Sequence, residues 1–207
     1  MSRKTPKYYP AFLDLTDRPC VIVGGGKVAE RKALELIKAG AKVTVISPTL
    51  TSRLEKEKQK GTILHHKRKV RNKDLDKAFF VFAATDSPEV NEEIANRKDL
   101  LVNVADHPEL CDFIVPSSIK RGPLHIAVST SGYSPAMSRA IRKDMEPLYG
   151  PAFGTYLSKL KALRAKAIKE ITDPEERKIF LKELASEKVI NTLRKGKQPA
   201  PPRTKKK

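Results

Sequence analysis

The sequence predicts an α/β protein: a doubly wound parallel sheet, then a small β-hairpin and helix segment, then a C-terminal helical appendage. Three observations carry that prediction. The β-branched run Cys20-Val21-Ile22-Val23 meets three glycines, Gly24-Gly25-Gly26, and passes without a proline into a helical pattern at Val28, Ala29, Ala33, Leu34, Leu36 and Ile37. Short apolar runs then alternate with helical stretches as far as residue 104, the rhythm of successive βαβ units. Beyond that point two adjoining strands and then apolar residues at helical spacing replace the alternation.

Read as G-x-G-x-x-A, the first turn is that of a Rossmann-like dinucleotide site. Gly24 allows the turn, Gly26 lets the backbone approach a pyrophosphate, and Ala29 lets helix and strand pack closely. The helix start presents unpaired N–H groups and partial positive charge to the phosphates. A plain strand-to-helix turn uses the same glycines, so context matters: Ala39-Gly40-Ala41 stops the helix and Val43 to Ile46 supplies the second strand. That strand ends in Ser47, Pro48 and Thr49, where the usual fingerprint has an acid on the ribose about 20 residues after the first glycines. Hydroxyls of Ser47 or Thr49 are the substitutes. No Arg follows at once to hold a 2′-phosphate, Arg53 being the nearest, so the reading is NAD rather than NADP.

Tyr8 to Leu15 is an extended lead-in, and Thr16-Asp17-Arg18-Pro19 turns into the first strand. A helix from Leu50 to Lys58 leads through Gly61 to a third strand, Thr62 to His66. His65 and His66 point to opposite faces of that strand, so they cannot readily share a metal and are read as surface residues. Ala78 to Ala84 is a continuous apolar run of the kind buried on both faces. It delivers Thr85 and Asp86 to the carboxyl edge of the sheet, where open α/β sheets bind ligands, although Asp86 also suits a purely supporting turn. Ser87 and Pro88 cap and start the next helix. The fifth strand, Leu100 to Val104, brings Asn103 and then Ala105-Asp106-His107 to the same edge. A carboxylate there could accept a proton as hydride leaves a substrate; the alternative is that Asp106 caps a turn.

Phe113 to Lys120 and Pro123 to Ser129 read as two strands joined at Arg121-Gly122. A lone hairpin needs further partners, and a second chain could supply them. Thr130-Ser131-Gly132-Tyr133-Ser134-Pro135 opens a helix to Leu148 whose free N–H groups suit a carboxylate, and ordinary capping by Ser134 accounts for the same residues. After a break at Tyr149-Gly150-Pro151, two helices are expected, one through Ile171 and one from Asp173-Pro174 to Leu193. The domains are therefore 1–112 for NAD binding, 113–149 for dimerisation and a substrate loop, 150–193 helical, and 194–207 a disordered basic tail.

The formal charge is +18, from 42 basic and 24 acidic residues. Seven of the cations lie in 194–207, a stretch without an acid, so residues 1–193 still carry +11. Such a field draws in an anionic partner, either a nucleic acid or a polycarboxylate small molecule. Absence of a Trp and an aromatic content of 6% leave no base-stacking set, which argues against the nucleic acid. No run is long enough to span a membrane, and Met1 to Tyr9 lacks the apolar core of a signal peptide, so a cytoplasmic location is expected. Cys20 and Cys111 lack metal-ligand spacing and read as small buried thiols, and no resident metal site is expected.

The pieces Val21 to Lys32, Ala83-Ala84-Thr85-Asp86, Asn103-Val104-Ala105-Asp106, Phe113 to Ser117 and Ala127 to Pro135 together resemble the NAD-dependent precorrin-2 dehydrogenase family, also found as the N-terminal part of multifunctional siroheme synthases. The resemblance implies oxidation of precorrin-2 to sirohydrochlorin with NAD, and it matches the catalytic aspartate to Asp106. It matches Lys27, Val28, Pro48 and Thr49, beside Gly24, Gly25, Gly26, Ser47, Thr85 and Asp86, to the cofactor side. Asn103, His107, Ser117, Thr130, Ser131 and Gly132 fall on the substrate side. It also implies a homodimer built through Phe113 to about Tyr149, and in some members insertion of ferrous iron, or in test cobaltous ion, at the same site. One departure is visible: Thr130-Ser131-Gly132 stands where many members carry a serine followed by two glycines. Without a methyltransferase half, the chain is expected to act alone. Two rival readings remain, an NAD-sensing regulatory domain without chemistry and a binder of nucleic acid through the basic tail.

Overall fold

Five short strands, β1 (Pro19–Val23), β2 (Lys42–Ile46), β3 (Ile63–His66), β4 (Phe80–Ala83) and β5 (Leu101–Val104), form one parallel sheet in the order β3-β2-β1-β4-β5. The computed structural model describes residues 7–200, which divide at Val115/Pro116 into two compact units, and this sheet belongs to the first. Side-chain alternation explains why its central strands read as unbroken apolar runs. Cys20, Ile22, Phe80 and Phe82 face the helices α1 (Lys27–Lys38) and α2 (Ser52–Gln59), packing on Ala29, Ala33, Leu36 and Leu54. Val21, Val23, Val81 and Ala83 face the other way, onto Leu75 and onto Ile94 and Ala95 of α3 (Pro88–Ala95). Both faces are dry, as a parallel sheet requires.

Local chemistry sets the ends of these elements. Gly40 takes a left-handed φ of +81° after α1, Thr51 accepts the Leu54 N–H at the start of α2, and Ser87 accepts that of Val90 with Pro88 next in line. A bidentate Arg68–Asp74 pair at 2.6 and 2.7 Å closes the connection from β3 to β4. The Arg68 guanidinium holds the Asp74 carboxyl down at about 2.

In the second unit, β6 (Ser117–Arg121) and β7 (Leu124–Val128) pair antiparallel and are followed by α4 (Pro135–Met145). Then come α5 (Pro151–Glu170), α6 (Pro174–Glu183) and α7 (Glu187–Arg194). The hairpin turn rests on α5 so closely that a Cβ on Gly154 would stand 2.7 Å from the Arg121 carbonyl oxygen. Three helices stand where the sequence predicts two. The chain leaves α6 at Leu184, whose carbonyl accepts the Tyr156 hydroxyl at 2.8 Å, and restarts from the extended Ser186. The five-residue gap between Leu184 and Val189 was the signal, since helical spacing does not accommodate it.

The tail expected to be disordered from Arg194 begins tied down. Arg194 ends α7 with its guanidinium 5.9 Å from the Tyr149 ring centroid, and the Gln198 amide donates to the Ala152 carbonyl at 3.1 Å. Residues 201–207 lie outside the described residues. Among the described residues no helix is long and apolar enough to cross a membrane.

Candidate functional site

Strand order reverses between β1 and β4, and the loops leaving these strands meet at the carboxyl edge of the sheet. Gly24 is wedged there at φ +121°, its N–H donating to the Ile46 carbonyl at 2.9 Å; a Cβ would stand 2.1 Å from the Ala84 carbonyl oxygen. Gly25 is equally constrained, because a Cβ would stand 1.9 Å from the Thr49 oxygen. The sequence places this middle glycine on the cofactor side, and the structure adds a packing reason for it. Gly26 differs from both: nothing lies within 4 Å of the Cβ it lacks.

Gly26 is also the N-cap of α1, with no side chain bonding the first turn. The first intrahelical bond at this end runs from Glu30 N–H to the Gly26 carbonyl, leaving the N–H groups of Lys27, Val28 and Ala29 without helical acceptors. Ala29 itself is wholly buried, which gives the close helix–strand packing its position in the motif predicts. Open space over a glycine, uncapped amides and the positive end of the helix fit a dinucleotide's pyrophosphate.

Next along the edge, Pro48 and Thr49 are exposed but Ser47 is buried. Its hydroxyl donates to the Thr49 carbonyl at 2.7 Å, and its own carbonyl lies 3.0 Å from His65 Nε2. Ser47 commits its proton to the loop pressed against Gly25, and His65, expected at the surface, is a half-buried brace. A carboxylate does reach this loop, from α1: Glu30, 3.4 Å from the Lys27 ammonium, is held below the usual carboxylate range by a hydrogen bond from Thr51.

After β4, the Thr85 hydroxyl donates to Asn91 Oδ1 at 2.8 Å, while the Asn91 amide returns to the Thr85 carbonyl at 3.0 Å. The Thr85 side chain is thus committed to its turn, and buried Asn91 of α3 is what fixes it. Asp86 beside it is exposed.

After β5, Ala105 N–H donates to the Ala83 carbonyl at 2.8 Å, which holds the β5 exit against that of β4. Asp106 follows with φ +61° and an exposed side chain that makes no hydrogen bond or ion pair among the described residues. It therefore does not cap a turn. Asp tolerates the left-handed region better than most residues, so its backbone bends while its carboxylate stays free. His107 is exposed with Nδ1 2.9 Å from Glu109 Oε1.

The segment after Asp106 folds back along β5. Asp112 exchanges two bonds with Val102, at 2.8 and 2.9 Å, and the Asn103 amide donates to the Phe113 carbonyl at 2.8 Å. Cys111 Sγ accepts the Val104 N–H at 3.2 Å and sits 3.2 Å from the His107 carbonyl oxygen; burial pushes this thiol up. Asn103, expected on the substrate side, is a brace of this loop, and so is Cys111.

In the second unit the remaining candidates gather at the start of α4. Ser117 Oγ lies 3.4 Å from Ser138 Oγ, and Thr130 is bonded both ways to the Ser134 backbone, at 2.9 and 3.1 Å. Ser131 and Gly132 take φ of +52° and +87°, so Ser131 bears the strain that a glycine would relieve at this point of the loop. Ser134 caps α4 by accepting the Met137 N–H at 3.1 Å. Among the described residues no three His, Cys, Asp or Glu side chains come together as a metal site would need.

An NAD(P)-binding family model matches residues 11–117, and the model of the central part of sirohaem biosynthesis proteins matches residues 121–147. The siroheme synthase of Thioalkalivibrio sulfidiphilus is 39% identical over 93% of this chain and 40% of its own length. That of Methylobacillus flagellatus is 41% identical over 83% of this chain and 37% of its own. The chain thus spans about two fifths of the curated relatives it matches. A solved structure, SirC, precorrin-2 dehydrogenase, superposes with a TM-score of 0.79 at 28% identity, covering 90% of this chain and 94% of that one. The uncapped glycine turn, the reversed strand order and these matches agree, and the chain belongs to the NAD(P)-binding family of sirohaem biosynthesis proteins.

Proposed function

We propose that this protein is an NAD-dependent precorrin-2 dehydrogenase, acting in the cytoplasm on a tetrapyrrole destined for siroheme. The observation that carries the proposal is the free carboxylate of Asp106, held on a left-handed backbone at the same sheet edge as the uncapped Gly26 turn. Precorrin-2 and NAD⁺ would give sirohydrochlorin, NADH and a proton, the cofactor supplying the hydride acceptor when bound. The protein's task is to place and to deprotonate. The α1 amides and Gly26 would hold the pyrophosphate, Pro48 and Thr49 line the ribose side, and Asp106 takes the proton released as the macrocycle's conjugation extends. A basic body suits a substrate rich in carboxylates.

Anaerobic incubation of the full chain with precorrin-2 and NAD⁺ tests this. Sirohydrochlorin and NADH absorbance should rise together in a one-to-one ratio. NAD⁺ binding without turnover would instead favour the regulatory reading. Ferrous or cobaltous ion added afterwards tests chelation at the same carboxylate, the metal being a co-substrate.

A homodimer through the second unit belongs to the same reading. Met137 and Ile141, one turn apart on α4, and Tyr133 in the loop just before it are 55, 38 and 79% exposed, apolar surface that a second copy would cover. Among the described residues the β6–β7 sheet packs on helices but has no third strand, so its edges are open to a second copy. Met137→Asp should shift the sedimentation of micromolar protein from dimer to monomer; an unchanged dimer would place the interface elsewhere.

A further inference from the structure

Lys32 stands on α1 beyond the glycine turn, half-buried, with its ammonium 5.1 Å from the Phe82 ring centroid. Among the described residues no carboxylate forms an ion pair with it, in contrast to Lys27 on the preceding turn, which is exposed and 3.4 Å from Glu30. Burial pushes the Lys32 ammonium down from the usual lysine range; Glu35 opposes this and Arg31 adds to it. A lysine that merely covered apolar surface would lay its methylenes on Phe82 and release its head to water. Here the head itself lies beside the Phe82 ring and is partly withdrawn from water, and the aromatic face offsets only some of that loss.

Its surroundings lead to the candidate base. Phe82 is paired in register with Asn103 of β5, the strand that runs out to Asp106. Asn103 bonds the Phe113 carbonyl, and the Phe113 ring lies 5.5 Å from that of Phe82. Cys111, within electrostatic reach of Lys32, bonds the backbone at Val104 and lies against the His107 carbonyl. The ammonium therefore occupies the α1 face of the sheet beside the strand and loop that present Asp106.

We propose that Lys32 is a substrate-binding residue, whose ammonium pairs with a carboxylate of the tetrapyrrole and so sets the ring's position relative to Asp106. This rests on the precorrin-2 reading above. It gives the unpaired cation a counter-charge only when substrate is bound, which makes it a device for selecting an acidic ligand over a neutral one.

The test compares Lys32→Met, which keeps the packing over Phe82, with Lys32→Arg, which keeps the charge, in the full chain with precorrin-2 and NAD⁺. Lys32→Met should raise KM for precorrin-2 about tenfold, the scale of one ion pair, with kcat within a few-fold and KM for NAD⁺ unchanged. Absorbance titration with sirohydrochlorin in the absence of NAD⁺ should show the same loss of affinity, and Lys32→Arg should recover most of it. Unchanged KM and sirohydrochlorin affinity in Lys32→Met would overturn the proposal, as would equal losses in both variants. Should Lys32→Met fail to fold, Lys32→Gln is judged by the same two criteria. A wild-type chain that neither binds sirohydrochlorin nor oxidises precorrin-2 fails the parent reading; a working wild type with an indifferent Lys32 fails this one alone.

Discussion

Asp106→Asn should lower the turnover of precorrin-2 by roughly 10²–10⁴-fold, the range lost with a positioned general base, while NAD⁺ affinity and thermal stability stay near wild type. Asparagine is the informative replacement because it matches aspartate in size and shares its tolerance of the left-handed region, so a φ of +61° costs it little. Alanine at this position would add about 1 kcal/mol of backbone strain, mixing a structural loss with the chemical one. The carboxylate forms no hydrogen bond among the described residues, so neutralising it strands no partner. What disappears is the acceptor for the proton and the negative charge facing a ring that gives up a hydride. Steady-state turnover with NAD⁺ held constant, beside a cofactor titration by fluorescence, separates the two effects. Undiminished turnover in Asp106→Asn would remove the residue from the mechanism.

Elements and positions at this edge were legible in the sequence because each is written in a local signal. Strand β4 is a continuous apolar run and is buried on both faces; the glycine triplet sits where a strand must become a helix; Ser87-Pro88 and Ser134-Pro135 open helices as capping chemistry dictates. Residue type and strand end thus place Asp106, Asp86 and Thr49, all exposed, at the carboxyl edge of the sheet. Which polar groups are free there was not legible, because their partners come from elsewhere in the chain. Ser47 is engaged by His65, eighteen residues away, and Asn103 by Phe113, ten away. Thr85 is engaged by Asn91 and, in the second unit, Thr130 by the backbone at the start of the helix it precedes. A hydroxyl or amide at a strand end is equally a ligand or a brace until the tertiary fold supplies or withholds its partner. The break between α6 and α7 was missed for the opposite reason: its local signal, the mismatched spacing of Leu184 and Val189, was present but weak beside the apolar periodicity around it.

The three adjacent glycines should respond to alanine in opposite ways, and the contrast separates folding from cofactor binding. In Gly25→Ala the methyl would stand 1.9 Å from the Thr49 carbonyl oxygen and 2.6 Å from Ser47 Oγ, and neither can yield while Ser47 is bonded to Thr49 and lies against His65. Gly24→Ala combines a 2.1 Å approach to the Ala84 oxygen with a φ of +121°. Each should cost upwards of about 3 kcal/mol, read as a large fall in melting temperature or as insoluble protein. Gly26→Ala meets no atom within 4 Å, and its φ of −81° and ψ of −168° suit any residue. Its structural cost should be only the poorer N-cap, about 1 kcal/mol or less. Yet its methyl would project into the space from which a pyrophosphate approaches the α1 amides, so NAD⁺ affinity should fall at least about tenfold in a protein that still melts cooperatively. If Gly26→Ala binds NAD⁺ as tightly as wild type, the phosphates are not seated on this helix start, and the open face of Gly26 has another explanation. If instead Gly25→Ala folds normally, the loop carrying Ser47 and Thr49 moves aside at little cost, and the fixed cradle inferred from its hydrogen bonds does not exist.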